Sequence, residues 1–291
     1  MASTQNRTKA LFDKLQRISR RSSDAGPKAV HQLRTTIRRI ETLVASTGAS
    51  PSKKEKKFLK QLDRLRRRAG KVRDLDVQID ALRSIHLDSV ARDRSRVMAF
   101  LEKARSKQEA KLLELFEDQL DDGLAKRLKR TCTRLQEEAG SSSHRLEGFL
   151  SAALNKFPGL VRQYPVLNES NLHNFRIDCK RVRYLAEMSG EGPDVKPVLQ
   201  QFKRIQDAVG IWHDWLTLTA TAERVLSSSG QVPLLSALRA GIRSKYLEAL
   251  RITADARHKL TEMHDSQRKS GNVVSKIAPA AATPMTRAAI A

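Results

Sequence analysis

Two segments of the chain carry the same spacing of cationic side chains. Residues 30–44 read VHQLRTTIRRIETLV, and residues 171–188 read NLHNFRIDCKRVRYLAEM. Each segment has a histidine, then an arginine three positions later, then an arginine or lysine four positions after that. Arginine, lysine and protonated histidine donate charge-assisted hydrogen bonds to carboxylates and phosphates. The chemistry that this spacing offers is the binding of an anion.

On a helix the cations of each segment lie on one face, beside an apolar stripe. At about 100° per residue, the histidine and the two cations after it fall within an arc of about 60°. The residues on this face are His31, Arg34 and Arg38 in the first segment and His173, Arg176 and Lys180 in the second. Arg183 falls between the cationic arc and the apolar stripe, whereas Arg39 lies well away and is expected to meet solvent.

The alternative interpretation of these residues is a solvated charged face with a structural histidine beside the core, which explains most such runs. Like charges four positions apart destabilise a helix unless something compensates for them. Glu41 is the one acidic residue beside the cationic arc of the first segment. The same residue types at matching angles in two segments favour anion binding over the solvated face.

A second repeated pattern lies further along, where GKVRD at 70–74 matches GIWHD at 210–214. Asp74 and Asp214 follow the glycines, and we interpret them as N-caps of new helices or as ion-pair partners of nearby arginines. His213 lies between two tryptophans and either packs with them or contacts a phosphate or a metal. The first copy has arginine at the position of this histidine.

The segment before the first of these glycines is also cationic. Its Lys and Arg side chains fall in one helical arc about 80° wide. They are Lys57, Lys60, Arg64, Arg68 and Lys71. The second copy keeps only Arg204 of this set, so the N-terminal half is expected to carry more of any anion site.

Several kinds of active site are not indicated. The sequence has no Gly-rich phosphate loop, no nucleophile turn with a Ser-His-Asp order and no HExxH or CxxC spacing. A metal site through His31, His173 and His213 stays a third hypothesis, because cations around a histidine disfavour a divalent ion. We expect neither catalysis nor a cofactor nor a bound metal.

The overall charge points to a polyanionic partner. The 291 residues have a formal net charge of +23 and a pI near 10.5. Aromatic residues make up 4% of the chain, too few for a platform that stacks single-stranded bases, and no known DNA-recognition helix is evident. Inorganic polyphosphate, which needs only charge-assisted hydrogen bonds, fits best. Weak, non-specific binding of nucleic acid is the alternative.

The apolar spacing predicts an all-α protein with eleven helical segments and breaks after Gly70 and Gly210. Matches at an offset of about 140 residues predict two pseudo-symmetric antiparallel helical bundles that flank a basic groove. The predicted domains are residues 1–140 and 141–264, followed by a disordered Ala/Pro tail at 265–291.

The predicted compartment is a reducing one. The two cysteines, Cys132 and Cys179, lie inside helical patterns and suggest no disulfide framework. No apolar run is long enough to span a bilayer, and we do not expect the protein to associate with a membrane. The basic, Ser-rich start resembles a transit peptide, but its apolar spacing favours an ordinary helix. We expect a cytoplasmic protein, with its oligomeric state left open.

The doubled His-x-x-Arg-x-x-x-[Arg/Lys] segments, each followed by Gly-x-x-[Arg/His]-Asp, resemble the two halves of a CHAD domain, a conserved-histidine α-helical domain. The similarity runs over residues 8–263. It implies two helical bundles around a basic groove that binds polyphosphate, and association with polyphosphate granules. The residues implied to line that groove are His31, Arg34, Arg38, His173, Arg176, Lys180 and Arg183, with Lys57, Lys60, Arg64, Arg73, Arg204 and His213 as additions.

Overall fold

The computed structural model describes residues 4–20, 26–46, 52–85, 90–119, 122–140, 145–190, 192–226 and 232–276. Within these ranges the chain forms nine α-helices and no strand, which confirms the all-α prediction. The helices are α1 (Thr4–Arg20), α2 (Pro27–Ser46), α3 (Lys53–Arg83), α4 (Ala91–Gln119), α5 (Asp122–Gly140), α6 (Arg145–Gln163), α7 (Leu172–Glu187), α8 (Val195–Leu226) and α9 (Pro233–Lys276).

Local signals in the sequence explain where several helices begin. Ser52 caps α3 in a capping box: its hydroxyl accepts from the Glu55 backbone N–H at 3.3 Å, and its own N–H donates to Glu55 Oε2 at 2.9 Å. Pro27 and Pro233 occupy the first positions of α2 and α9, where the missing N–H leaves no hydrogen bond unmade. These starts fix the register of the helices that carry the repeated motifs.

The predicted breaks after Gly70 and Gly210 are wrong, because α3 and α8 each run through their glycine without interruption. A glycine inside a helix costs only about 1 kcal/mol relative to alanine, which packing on both sides can offset. Asp74 and Asp214 therefore lie inside helices and are not N-caps.

The predicted disorder from residue 265 is also wrong for part of its range. Helix α9 continues to Lys276, and His264 in it is buried. Leu260 is buried in the core and Met263 packs against it, so the helix is anchored up to the predicted end and continues from there. Residues 277–291 lie outside the described residues.

Packing places four helices at the centre of the fold. Successive helices pack on one another from α1 to α4 and again from α6 to α9, while α1 packs on α5 and α6 on α9. Between these two sets, α2 contacts α7, and both α3 and α4 contact α8. All four helices that carry the repeated motifs thus take part in the contact between the sets.

Three hydrophobic cores support this arrangement. One joins α1 to α5 around Phe58, and a second joins α6 to α9 around Phe202. The third contains Leu82 of α3 and Leu101 of α4 together with Leu218 of α8 and the start of α9. Helices from both sides of residue 140 share this third core, and the division into domains stays a prediction.

Candidate functional site

Arg34 extends from α2 across α3. Its Nη1 lies 3.4 Å from Asp74 Oδ1, and its side chain is 20% exposed. A Cβ placed on Gly70 would be 3.9 Å from the Arg34 guanidinium carbon. The Arg34 guanidinium therefore lies over α3 at Gly70, at a distance that would also accommodate an alanine methyl. Asp74 is an ion-pair partner of this arginine and not a helix cap.

Arg176 makes the corresponding crossing from α7 to α8, and more closely. Its Nε donates to the backbone carbonyl of Gln206 at 2.9 Å. A Cβ on Gly210 would come within 2.8 Å of Arg176 Nη2, closer than real Cβ contacts allow. The repeated glycines thus mark where an arginine from the preceding helix crosses, and no helix ends there.

Two histidines stack beside Arg176. The rings of His173 and His213 have centroids 4.0 Å apart and planes inclined by 27°. Burial lowers the pKa of His173 to about 4, with further lowering by His213, Arg176 and Lys180. Burial also lowers the pKa of His213, and Arg176 and Lys180 add to the effect. Both rings are neutral near pH 7, and His173 Nδ1 is buried without a hydrogen-bond partner.

The first half differs at this point, because Arg73 stands where the second half has a histidine. His31 is exposed, and the pKa of its ring is lowered first by partial desolvation and then by Arg73 and Arg34. A permanent cation therefore replaces one ring of the stack in this half.

Charges from the two halves act on one another. Burial and the charges of Arg176, Arg38 and Arg34 together lower the pKa of Lys180 to about 7, and the last two of these arginines are on α2. Burial raises the pKa of Asp214 to about 6 against the opposing charge of Arg176, and Asp74 on α3 contributes to the rise. Side chains of α2 and α3 are thus close enough to those of α7 and α8 for direct electrostatic interaction.

We call the residues that share these interactions the central cluster. Nine of the thirteen residues proposed from the sequence belong to it, together with two carboxylates. Its members are His31, Arg34, Arg38, Arg73, His173, Arg176, Lys180, Arg183 and His213, with Asp74 and Asp214. Arg183 is 18% exposed, and its Nε is buried without a hydrogen-bond partner.

The other four proposed residues lie apart from the central cluster. Arg204 Nη1 donates to Asp255 Oδ2 at 2.5 Å and to Gln201 Oε1 at 2.8 Å, which ties it to α9. Lys57, Lys60 and Arg64 are exposed on α3. The greater share of the cationic side chains in α3 therefore lies on the surface. Two nitrogens of the central cluster, His173 Nδ1 and Arg183 Nε, are buried without a hydrogen-bond partner, and both are in the second half.

One contact between the halves was not expected. Arg39 was predicted to meet solvent, but its Nε donates to Glu187 Oε2 at 2.9 Å and joins α2 to the end of α7. Glu187 also faces Arg183, whose Nη2 lies 3.6 Å away. Helical angles identify the face on which Arg39 lies, but they carry no information on which helix covers that face.

Two cavities lie outside the central cluster in the described part of the chain. A cavity of about 220 Å³ lies between α8 and α9 beside Ile211, and one of about 280 Å³ lies between α3 and α4 beside Asp76. No member of the central cluster lines either cavity. Among the described residues no three or more His, Cys, Asp or Glu side chains are grouped to hold a metal. No described helix combines the length and apolarity needed to cross a membrane.

Comparison with known proteins gives a family and a fold. The model of the CHAD domain matches residues 7–223. The crystal structure of the CHAD domain from the plant Ricinus communis is similar to this chain at 15% sequence identity, with a TM-score of 0.65 over 86% of this chain and 89% of that one. The chain matches no curated protein.

Proposed function

We propose that this chain, which belongs to the CHAD domain family, binds inorganic polyphosphate in the central cluster and catalyses no reaction on it. The observation that carries the proposal is the contact between α2 and α7, which brings their cations together: Arg34 and Arg38 act electrostatically on half-buried Lys180. Cations that are packed together and partly removed from water need a compensating anion. Asp74, Asp214 and Glu187, which faces Arg183, supply only part of that compensation.

The donors match phosphate rather than a base. Arg34, Arg38, Arg73, Arg176, Lys180 and Arg183 offer guanidinium and ammonium groups, which suit the oxygens of phosphate. The rings in the cluster are three imidazoles, and two of them, His173 and His213, already stack on each other. A ligand made only of phosphates uses every donor in this set.

We infer further that the two halves are pseudo-symmetric copies around a basic groove. Arg34 crosses α3 at Gly70 as Arg176 crosses α8 at Gly210, and the paired helices α2 with α7 and α3 with α8 are in contact. A polymer of identical phosphates would meet equivalent donors on both sides of such a groove. Through this ligand we expect the protein to associate with polyphosphate granules in the cytoplasm.

A competition titration tests the function. Labelled polyphosphate bound to the full chain is challenged with unlabelled polyphosphate, duplex DNA and RNA at equal phosphate concentration and fixed salt. We expect polyphosphate to displace the label at concentrations far below those that either nucleic acid needs. Equal displacement by DNA or RNA would instead support non-specific binding of polyanions.

A further inference from the structure

Five exposed cations form a straight row on α3, outside the central cluster. At about 100° per residue they lie within an arc of about 60°, and at about 1.5 Å per residue the row is about 27 Å long. We call them the α3 row: Lys53, Lys57, Lys60, Arg64 and Lys71. A row of this length is much longer than a single phosphate group.

The α3 row is not compensated by acidic side chains. None of its members forms an ion pair with a described residue. The two acids within the same stretch pair with other cations, Glu55 with Arg134 and Asp63 with Arg66 and Arg67. Lys57 follows Lys53 by four positions, and Arg64 follows Lys60 by four, spacings at which like charges repel. A solvated face would gain stability from glutamates at these positions, so the row is costly unless an anion binds it.

The corresponding surface of α8 lacks the row. Pro197, Gln200 and Ile211 stand where α3 has Lys57, Lys60 and Lys71. Arg204, the one cation retained, is neutralised by Asp255. The row of uncompensated charge is therefore a feature of α3 that the equivalent surface of α8 does not share.

The row is continuous with the central cluster. Lys71 directly follows Gly70, over which the Arg34 guanidinium lies, and Asp74 on the next turn binds that guanidinium. From Lys71 the row leads along α3 towards the start of the helix, away from the cluster. An extended anion held at Arg34 has this row as its cationic continuation.

We propose that the α3 row binds the part of a linear polyphosphate chain that extends beyond the central cluster. This inference rests on the proposed function and adds selectivity for polyphosphate length. A polyphosphate short enough to lie within the cluster gains nothing from the row, whereas a longer polyphosphate gains several contacts. The row consists of point charges on one helix and contains no aromatic side chain that could stack a base. Linear polyphosphate therefore fits it better than nucleic acid does.

The test removes four charges from the row and four elsewhere. The row variant is K57A/K60A/R64A/K71A, and the control is R92A/R251A/R268A/K269A, whose residues are also exposed. Dissociation constants are measured for tripolyphosphate and for long-chain polyphosphate at fixed salt, after melting curves show that both variants are folded. We expect the row variant to bind the long chain about tenfold or more weaker, because that ligand loses up to four phosphate contacts and the counterion release that accompanies them. Tripolyphosphate affinity should be unchanged.

Three results would overturn the inference. Equal losses in the row variant and the control would show an effect of net charge alone. Equal losses for tripolyphosphate and the long chain would show that the row acts within the cluster. Loss of duplex DNA binding with long-chain polyphosphate retained would assign the row to nucleic acid. Failure of the proposed function looks different, because the unchanged protein would then bind neither form of polyphosphate.

Discussion

The imidazole rings of His173 and His213 stack with their centroids 4.0 Å apart, next to the guanidinium of Arg176. Burial, the second ring and two cations keep the pKa of His173 at about 4, well below its ordinary value of 6.5. The stack is therefore uncharged near neutral pH while the cluster is empty. A bound anion reverses that balance, because it stabilises the imidazolium form.

The first prediction concerns pH. Polyphosphate raises the pKa of His173 and Lys180, so binding takes up protons and affinity increases as pH falls. Near neutral pH the ionisation of Lys180 accounts for most of the pH dependence of affinity, because its pKa is lowered to about 7 and its charge is lost as pH rises through that value. Dissociation constants measured from pH 6 to 8 at constant ionic strength should increase with pH. Calorimetry in buffers of different ionisation enthalpy should show proton uptake.

Lys180→Arg is the control for this pH dependence, because arginine keeps its charge throughout the range. The variant should bind with a flatter profile around pH 7. An affinity that rises from pH 6 to 8 and depends on added zinc would indicate metal coordination by neutral imidazole, and would contradict the anion site.

The second prediction separates stability from binding at Lys180. Its lowered pKa means that the unfolded chain binds more protons above pH 7, so the charge destabilises the empty fold. Lys180→Met should raise the free energy of unfolding by about 1–3 kcal/mol near pH 7. The same change should weaken polyphosphate binding. Denaturant unfolding and binding titrations on one preparation check both effects, and a less stable variant would contradict the account.

The third prediction uses the repeated glycines as a matched pair. In Gly210→Ala the new methyl lies 2.8 Å from Arg176 Nη2, so the guanidinium must move and its 2.9 Å hydrogen bond to Gln206 is lost. In Gly70→Ala the methyl lies 3.9 Å from Arg34, an ordinary contact. We expect Gly210→Ala to bind polyphosphate about tenfold weaker, the cost of one charge-assisted hydrogen bond.

Gly70→Ala should leave binding nearly unchanged and stabilise α3 by up to about 1 kcal/mol through helix propensity. Binding isotherms and thermal melts of the two variants provide the comparison. Equal effects on binding would mean that the Arg176 crossing does not position the site.

The fourth prediction concerns the link between the halves at Glu187. Glu187→Gln removes the carboxylate that faces both Arg39 and Arg183 and leaves two partly buried cations without it. The free energy of unfolding should fall by about 1–3 kcal/mol. Because the variant also adds net positive charge, saturating polyphosphate should raise its melting temperature more than that of the unchanged protein. An unchanged melting temperature of Glu187→Gln without ligand would show that this contact does not stabilise the fold.

Sequence patterns were sufficient to place cations on one face of a helix, but not to show what crosses that face. The angles of Arg34 and Arg176 follow from 100° per residue, whereas their passage over Gly70 and Gly210 depends on the approach of a second helix. For that reason the glycines were taken for helix ends. The Arg39 contact with Glu187 joins residues 148 positions apart and leaves no local signal.

The same limit explains the division of the thirteen proposed residues. Lys57, Lys60 and Arg64 share an arc on α3, and periodicity groups them correctly. The pattern does not say that this arc faces solvent while Arg73, on the same helix, is half-buried. The repeat pairs Arg204 with Arg64 and so predicts that Arg204 belongs to the anion site. In the structure Arg204 instead forms an ion pair with Asp255 on α9, which the repeat does not indicate.

The central claim is that Arg34 and Arg176 hold a phosphate polymer between the two halves, and replacing both by Ala tests it most directly. Labelled polyphosphate is titrated against R34A/R176A, against H31Q/H173Q and against R92A/R251A, which removes two exposed cations outside the cluster. All titrations use one pH and one ionic strength, with melting curves to show that each variant is folded. Two lost charge-assisted hydrogen bonds should weaken binding about a hundredfold or more in R34A/R176A, with a smaller loss in H31Q/H173Q and little change in R92A/R251A. A folded R34A/R176A that binds as tightly as R92A/R251A would contradict the account.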